Sequence, residues 1–69
     1  MRVRLPEYWI NFLIRQPESG MGYHRVDVTF EDGSESLDCV VVNSEEIELP
    51  SEQRGKTIAE IRVRRPPNG

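Results

Sequence analysis

The spacing of apolar residues changes once along this chain, and that change dictates what the chain can build. From Tyr8 to Ile14 the large apolar side chains recur four apart, as Tyr8 with Phe12, Trp9 with Leu13 and Ile10 with Ile14, which is the repeat of a helix face. From Tyr23 onward the repeat is two. His24, Val26, Val28 and Phe30 share one face, and Tyr23, Arg25, Asp27, Thr29 and Glu31 share the other, the signature of a half-buried strand. Between them, Pro17 to Gly22 holds a proline and two glycines and reads as a loop.

The spacing predicts a helix over 5–16. Pro6 suits its first position, where the missing N–H is not needed, and Glu7 complements the positive end of the helix dipole while Arg15 sits near the negative end. Pro17 stops it by disfavouring helical geometry at the residue before. The apolar surface wraps most of the way round, leaving Asn11, Arg15 and Gln16 as the polar strip. Such a helix must be covered, either by the rest of the chain or by a partner. A strand is the competing reading, since Tyr, Trp, Ile and Phe also favour sheets. Ahead of the helix, Arg2 to Leu5 alternates and reads as an edge strand.

Asp32-Gly33 between alternating segments is a hairpin signal. The return strand, 36–43, carries Leu37, Cys39 and Val41 on one face and Val40 and Val42 on the other. Being apolar on both faces at its end, it is expected in the middle of the sheet. Asn43-Ser44 makes the next turn, and 45–49 is a short strand with Ile47 and Leu49 inward, ended by Pro50. The polar stretch 51–57 is loop-like with room for one helical turn, and 58–65 alternates again with Ile61 and Val63 opposed to Arg62 and Arg64. Residues 1–65 therefore form one small domain, with 66–69 a disordered tail. The expected class is mainly β (α+β): an N-terminal helix packed on a four- to five-stranded antiparallel meander. Partial closure into a small barrel of SH3-like or Sm-like shape would help to bury the face that one helix cannot cover.

With 69 residues, folding buries only about 60% of the surface that the unfolded chain exposes. Almost every large apolar side chain must go inside, and none is left over to line a deep ligand cavity. That weighs against an enzyme acting on small molecules. The single cysteine, Cys39, cannot form an intramolecular disulfide, which favours a reducing, cytoplasmic setting. The opening residues resemble a signal peptide, but their apolar run is interrupted by Asn11 and lacks a small-residue cleavage site. The run is also too short to span a bilayer, so no membrane association is expected.

The formal charge of −3 is unevenly placed. Nine of the twelve acidic residues lie between Asp27 and Glu52, a stretch with no lysine or arginine, and all nine basic residues lie outside it. Either the ends fold back beside the middle and the charges offset one another, or the surface is polarised for pairing with a second molecule. Net acidity disfavours nucleic acid as a partner, because that contact relies on phosphate neutralisation.

Few residue sets suggest chemistry. Gly55-Lys56-Thr57 matches the tail of a phosphate-binding loop, but Pro50 stands where the pattern needs glycine. Cys39 and His24 are the only thiol and imidazole, a small core residue and a core-edge residue unless folding makes them adjacent. They are too few for a zinc site. Glu45, Glu46 and Glu48 with Asp38 lack calcium-loop spacing and read as a solvated sheet face. No catalytic, cofactor-binding or metal residue is assigned. The candidate interaction surface is Tyr8, Trp9 and Tyr23 with Arg2, Arg4, Arg62 and Arg64: aromatics able to stack and arginines able to pair. For Trp9 the alternative is a core plug with Tyr8 lying across its rim.

The stretches 5–9 (Leu-Pro-Glu-Tyr-Trp), 17–23 (Pro-Glu-Ser-Gly-Met-Gly-Tyr), 26–28 (Val-Asp-Val) and Asp32-Gly33 together resemble a group of small bacterial proteins of unassigned function. The resemblance covers roughly the first half of the chain and implies a self-standing bacterial protein. It carries over no catalytic residues. The function expected from the sequence is a non-catalytic module for protein interaction or self-association. The alternatives are a single-stranded RNA- or DNA-binding small barrel and a thiol-dependent enzyme using Cys39.

Overall fold

The computed structural model describes residues 1–53 and 55–64. The expected end of the last strand at Arg65 and the expected tail at 66–69 lie outside the described residues. In chain order the elements are β1 (Arg2–Arg4), α1 (Glu7–Ile14), β2 (Tyr23–Phe30), β3 (Glu35–Val42), β4 (Glu46–Glu48), a single 3-10 turn (Ser51–Gln53) and β5 (Ile58–Val63). The strands form one antiparallel sheet in the order β1-β4-β3-β2-β5. It is an open sheet, not a closed barrel. β2, β3 and β4 make the meander, and β3 takes the central place that its two apolar faces require. β5 returns to the free side of β2, because β1 already occupies the outer edge of β4.

α1 is shorter than the spacing predicts. Pro6 is its N-cap, with ψ 152°, rather than its first turn, and Arg15 closes it. Leu5 is drawn out of the helix because its N–H donates to Glu45 O at 2.8 Å and its side chain is buried. Helix and sheet enclose one core of Leu5, Ile10, Leu13, Val26, Val28, Phe30, Cys39, Val41, Ile47, Leu49 and Ile61, with Trp9 and Phe12 packed against it from the helix. Trp9 is half-buried, so the plug of the core is Phe30 with Leu13, not the tryptophan.

Each turn shows its sequence logic. At the β2–β3 hairpin Gly33 takes φ 90°, while Asp32 Oδ1 accepts from the Ser34 N–H at 2.9 Å and its hydroxyl at 2.6 Å. At the β3–β4 hairpin Asn43 and Ser44 both have positive φ, 54° and 61°, as the two-residue turn that matches strand twist demands.

One expectation fails. Leu37 does not share the inner face with Cys39 and Val41; it is 61% exposed. Val26 stands opposite Cys39 but Val28 stands opposite Ser36, so β3 carries one extra residue there. Asp38 absorbs it with φ 58°, and its N–H donates to Asp27 Oδ1 at 2.9 Å. This bulge turns Leu37 outward and puts Ser36 into the core instead.

Candidate interaction surface

α1 buries Ile10 and Leu13, and its other flank faces outward. Tyr8 is 72% exposed and Ile14 65%. Tyr8, Asn11, Phe12 and Arg15 line a groove of about 270 Å³ on that flank. The aromatic rings brace one another edge to face, Tyr8 against Trp9 at 4.8 Å and Trp9 against Phe12 at 5.5 Å between centroids. Since Trp9 and Phe12 are anchored on the core, Tyr8 is held in place although it stands in solvent.

Register places the other sequence-predicted residues on the sheet face that looks away from α1. Arg2 and Arg4 stand opposite Glu48 and Glu46 at the β1 end, and Arg62 stands opposite Asp27 at the β5 end. β1 and β5 are the two opposite edges of the sheet, so the four arginines do not gather. Each is held by a carboxylate: Arg2 by Glu48 at 3.2 Å, Arg4 by Glu45 at 2.9 Å, Arg62 by Glu35 at 3.4 Å and Arg64 by Asp27 at 2.7 Å. Arg25 pairs with both oxygens of Asp38. The ends of the chain thus neutralise its acidic middle, and the sheet carries a lattice of alternating sign instead of a basic patch. Exposed pairs of this kind contribute little to stability; what they set is register and the charge a partner meets.

The protonation states follow the lattice. The Arg4 guanidinium is pushed up by its hydrogen bond to Glu45, and that of Arg25 by its bond to Asp38. Partial burial alone would raise the Asp27 carboxyl, but the Asp38 N–H and the Arg64 guanidinium outweigh it and hold the group below the usual carboxylate range. Glu48 is lowered by Arg2 and by the terminal amino group. Among the described residues, Arg15 in the α1 groove is the arginine with no carboxylate in ion-pair range.

Tyr23 lies on the outer sheet face against Gly20, where a Cβ would come within 2.3 Å of its ring; it stands opposite Val42 of β3, and its own strand borders β5. His24 and Cys39 both face the core, 1% and 5% exposed, but each is engaged elsewhere. The Cys39 thiol donates to Ser36 Oγ at 3.2 Å, and His24 Nε2 meets Gln16 O at 3.1 Å. Lys56, from the phosphate-loop fragment, pairs with Asp32 at 3.0 Å and lies 5.8 Å over the Phe30 ring. Among the described residues no group of three or more His, Cys, Asp or Glu is placed to hold a metal ion. No helix among them is long and apolar enough to cross a membrane.

Sequence reasoning named Tyr8 and Trp9 but not Phe12 or Arg15 as parts of one surface. The signal was present: a lone arginine beside the i, i+4 pair Tyr8–Phe12 marks one edge of an apolar helix. Compared with protein-family models, curated proteins and solved structures, the chain matches none of them.

Proposed function

We propose that this chain is a non-catalytic protein-interaction module of the cytoplasm that docks a partner segment along the outward flank of α1. The observation that carries the reading is an apolar helix flank left in solvent on so small a protein. Tyr8 stands exposed beside Phe12, the groove they line with Asn11 and Arg15 is preformed, and among the described residues Arg15 has no carboxylate in ion-pair range. The partner that fits is an amphipathic segment whose apolar side chains fill the groove while an acidic side chain reaches Arg15. Buried aromatic and arginine anchors carry most of the energy in such contacts.

The arginines favour this reading over nucleic-acid binding. Each of the four invoked for phosphate is already spent on a carboxylate of the same chain, and the pairs are split between opposite sheet edges. Tyr8 and Trp9 lie on the other layer. A photo-crosslinking residue in place of Asn11, which is exposed, tests the proposal in the source cells. A discrete adduct is expected, and it is expected to vanish in both Tyr8→Asp and Arg15→Glu backgrounds while circular dichroism stays unchanged. An adduct indifferent to both substitutions, or no adduct, refutes it.

A further inference from the structure

The two sheet edges differ in what they present to a second copy of the chain. At β5, Arg64 N–H donates to Arg25 O at 2.8 Å, and Val63 and Ile61 stand opposite Val26 and Val28. In an antiparallel ladder residues alternate between bonding inward and outward. Glu60 and Arg62 therefore direct their backbone groups to β2, while Ile61 and Val63 direct theirs to the free edge. Among the described residues no strand pairs with that edge.

We infer that β5 pairs antiparallel with β5 of a second copy about a two-fold axis at Ile61, extending the sheet across the dimer. The axis sets Ile61 opposite its own copy as a doubly hydrogen-bonded pair. Glu60 then faces Arg62 of the other chain twice, at the close, non-hydrogen-bonded positions where Cα atoms approach to about 4.5 Å. Both side chains lie on the open sheet face at 59% and 42% side-chain exposure and pair with each other within the chain at 3.4 Å, so the dimer exchanges one such contact within each chain for one between chains. Moving the axis by one residue spoils the match. Centred on Glu60 it sets glutamate against glutamate, centred on Arg62 it keeps two Glu60–Arg64 pairings but sets Arg62 against its own copy, and centred on Val63 it sets Arg62 against Arg64. Like charges directly opposite are destabilising, so the charge pattern favours the register centred on Ile61.

The apolar side agrees. Ile58 and Val63 are only half-buried at this edge, packed against the core from its margin, and a continuing sheet covers them on the same face. The β1 edge does the reverse. Arg2 and Arg4 flank Val3, so self-pairing about Val3 sets arginine against arginine. Pairing β1 with β5 of another copy, which would build an open filament, sets Arg2 against Arg62 and Arg4 against Glu60 when Val3 faces Ile61, so one match comes with one clash. The fold thus offers one self-complementary edge and one self-repelling edge, which favours a closed dimer over a fibre.

One six-residue strand buries less than a standard interface, so an exchanging dimer weaker than about 1 μM is expected. The inference concerns a different surface from the α1 flank and stands or falls without it. Its test is a charge exchange followed by sedimentation equilibrium and amide shifts on full chains. Wild type is expected to dimerise, with concentration-dependent shifts concentrated at the Ile61 and Val63 amides. Glu60→Arg alone and Arg62→Glu alone are each expected to weaken the dimer at least tenfold while keeping a folded spectrum. Mixing the two variants is expected to restore pairing as a heterodimer, since arginine again faces glutamate at both positions. Amides of Ile61 and Val63 that stay fixed up to about 1 mM, the weak limit of a specific contact, overturn the inference. So does a mixture that pairs no better than its components.

Discussion

Asp38 holds a left-handed backbone in the middle of a strand, φ 58°, and this should invert the usual ranking of alanine and glycine. In an ordinary strand interior glycine is the weaker residue. At Asp38 an alanine Cβ meets the following carbonyl, costing about 1–2 kcal/mol. Aspartate reduces that cost by local hydrogen bonding, and glycine avoids it. Glycine in turn gives back roughly 0.4–1 kcal/mol through the greater freedom of its unfolded chain. Asp38→Ala and Asp38→Gly both delete the carboxylate that binds Arg25 and touches Arg64, so the difference between them isolates the backbone. The glycine variant is expected to be the more stable by about 0.5–1 kcal/mol, which for a domain of this size is about 2–8 °C in melting temperature. Urea unfolding followed by the fluorescence of Trp9, the single tryptophan, measures it, with equal m-values expected for the two variants. If the alanine variant equals or exceeds the glycine variant, Asp38 is not left-handed in solution, and the account of why Leu37 faces outward is wrong.

Two further outcomes follow from the core and the hairpin. Leu13 is fully buried, so Leu13→Ala should cost about 2–5 kcal/mol against a total of roughly 3–10 kcal/mol for a chain this size. Urea melts should show most of the cooperative transition lost, and a cost below about 1 kcal/mol would mean α1 is not part of the core. Asp32 is lowered from 3.8 to about 2 by the Ser34 hydroxyl, the Ser34 N–H and the Lys56 ammonium. Its folded value lies below its unfolded one, so the carboxylate supports the fold fully above the ordinary value and loses that support as pH falls toward about 2. Wild type should therefore lose more urea resistance across that window than Asp32→Asn does, and parallel pH profiles for the two would count against the hairpin clasp.

The elements legible in the sequence are those set by local period and local turn chemistry. His24 to Phe30 alternates without interruption, and all four of its inward residues are buried. Asp32-Gly33 and Asn43-Ser44 announced their hairpins because few residues accept positive φ. Apolarity on both faces placed the 36–43 strand centrally. What failed was non-local. Leu37-Asp38-Cys39 alternates as cleanly as its neighbours, and only the docking of the Asp38 N–H on Asp27, across the sheet, reveals the inserted residue. The pairing of β1 with β4 and of β5 with β2 likewise depends on which edge is free, a property of the assembled sheet. At the candidate surface, Tyr8 was legible as an aromatic on a helix, but its exposure was not. Periodicity shows that a helix is apolar nearly all round without saying which flank the sheet takes.

That last ambiguity has a geometric origin. Eight helical residues span about 12 Å, whereas five strands at their usual spacing span about 19 Å. One such helix cannot roof the whole sheet. At the β1 side the shortfall is made up by Leu5 and Leu49, both buried beside Ile47. At the β5 side no comparable pair is present among the described residues, and Ile58 and Val63 stay half-covered. Nothing among the described residues lies over the back of α1 either, so Tyr8 and Ile14 face solvent. The exposed flank and the open β5 edge are thus two results of one shortage of chain. The charges separate the two proposals. At β5 the pattern complements itself, whereas in the α1 groove Arg15, with no carboxylate in ion-pair range among the described residues, fits a partner that brings the acid.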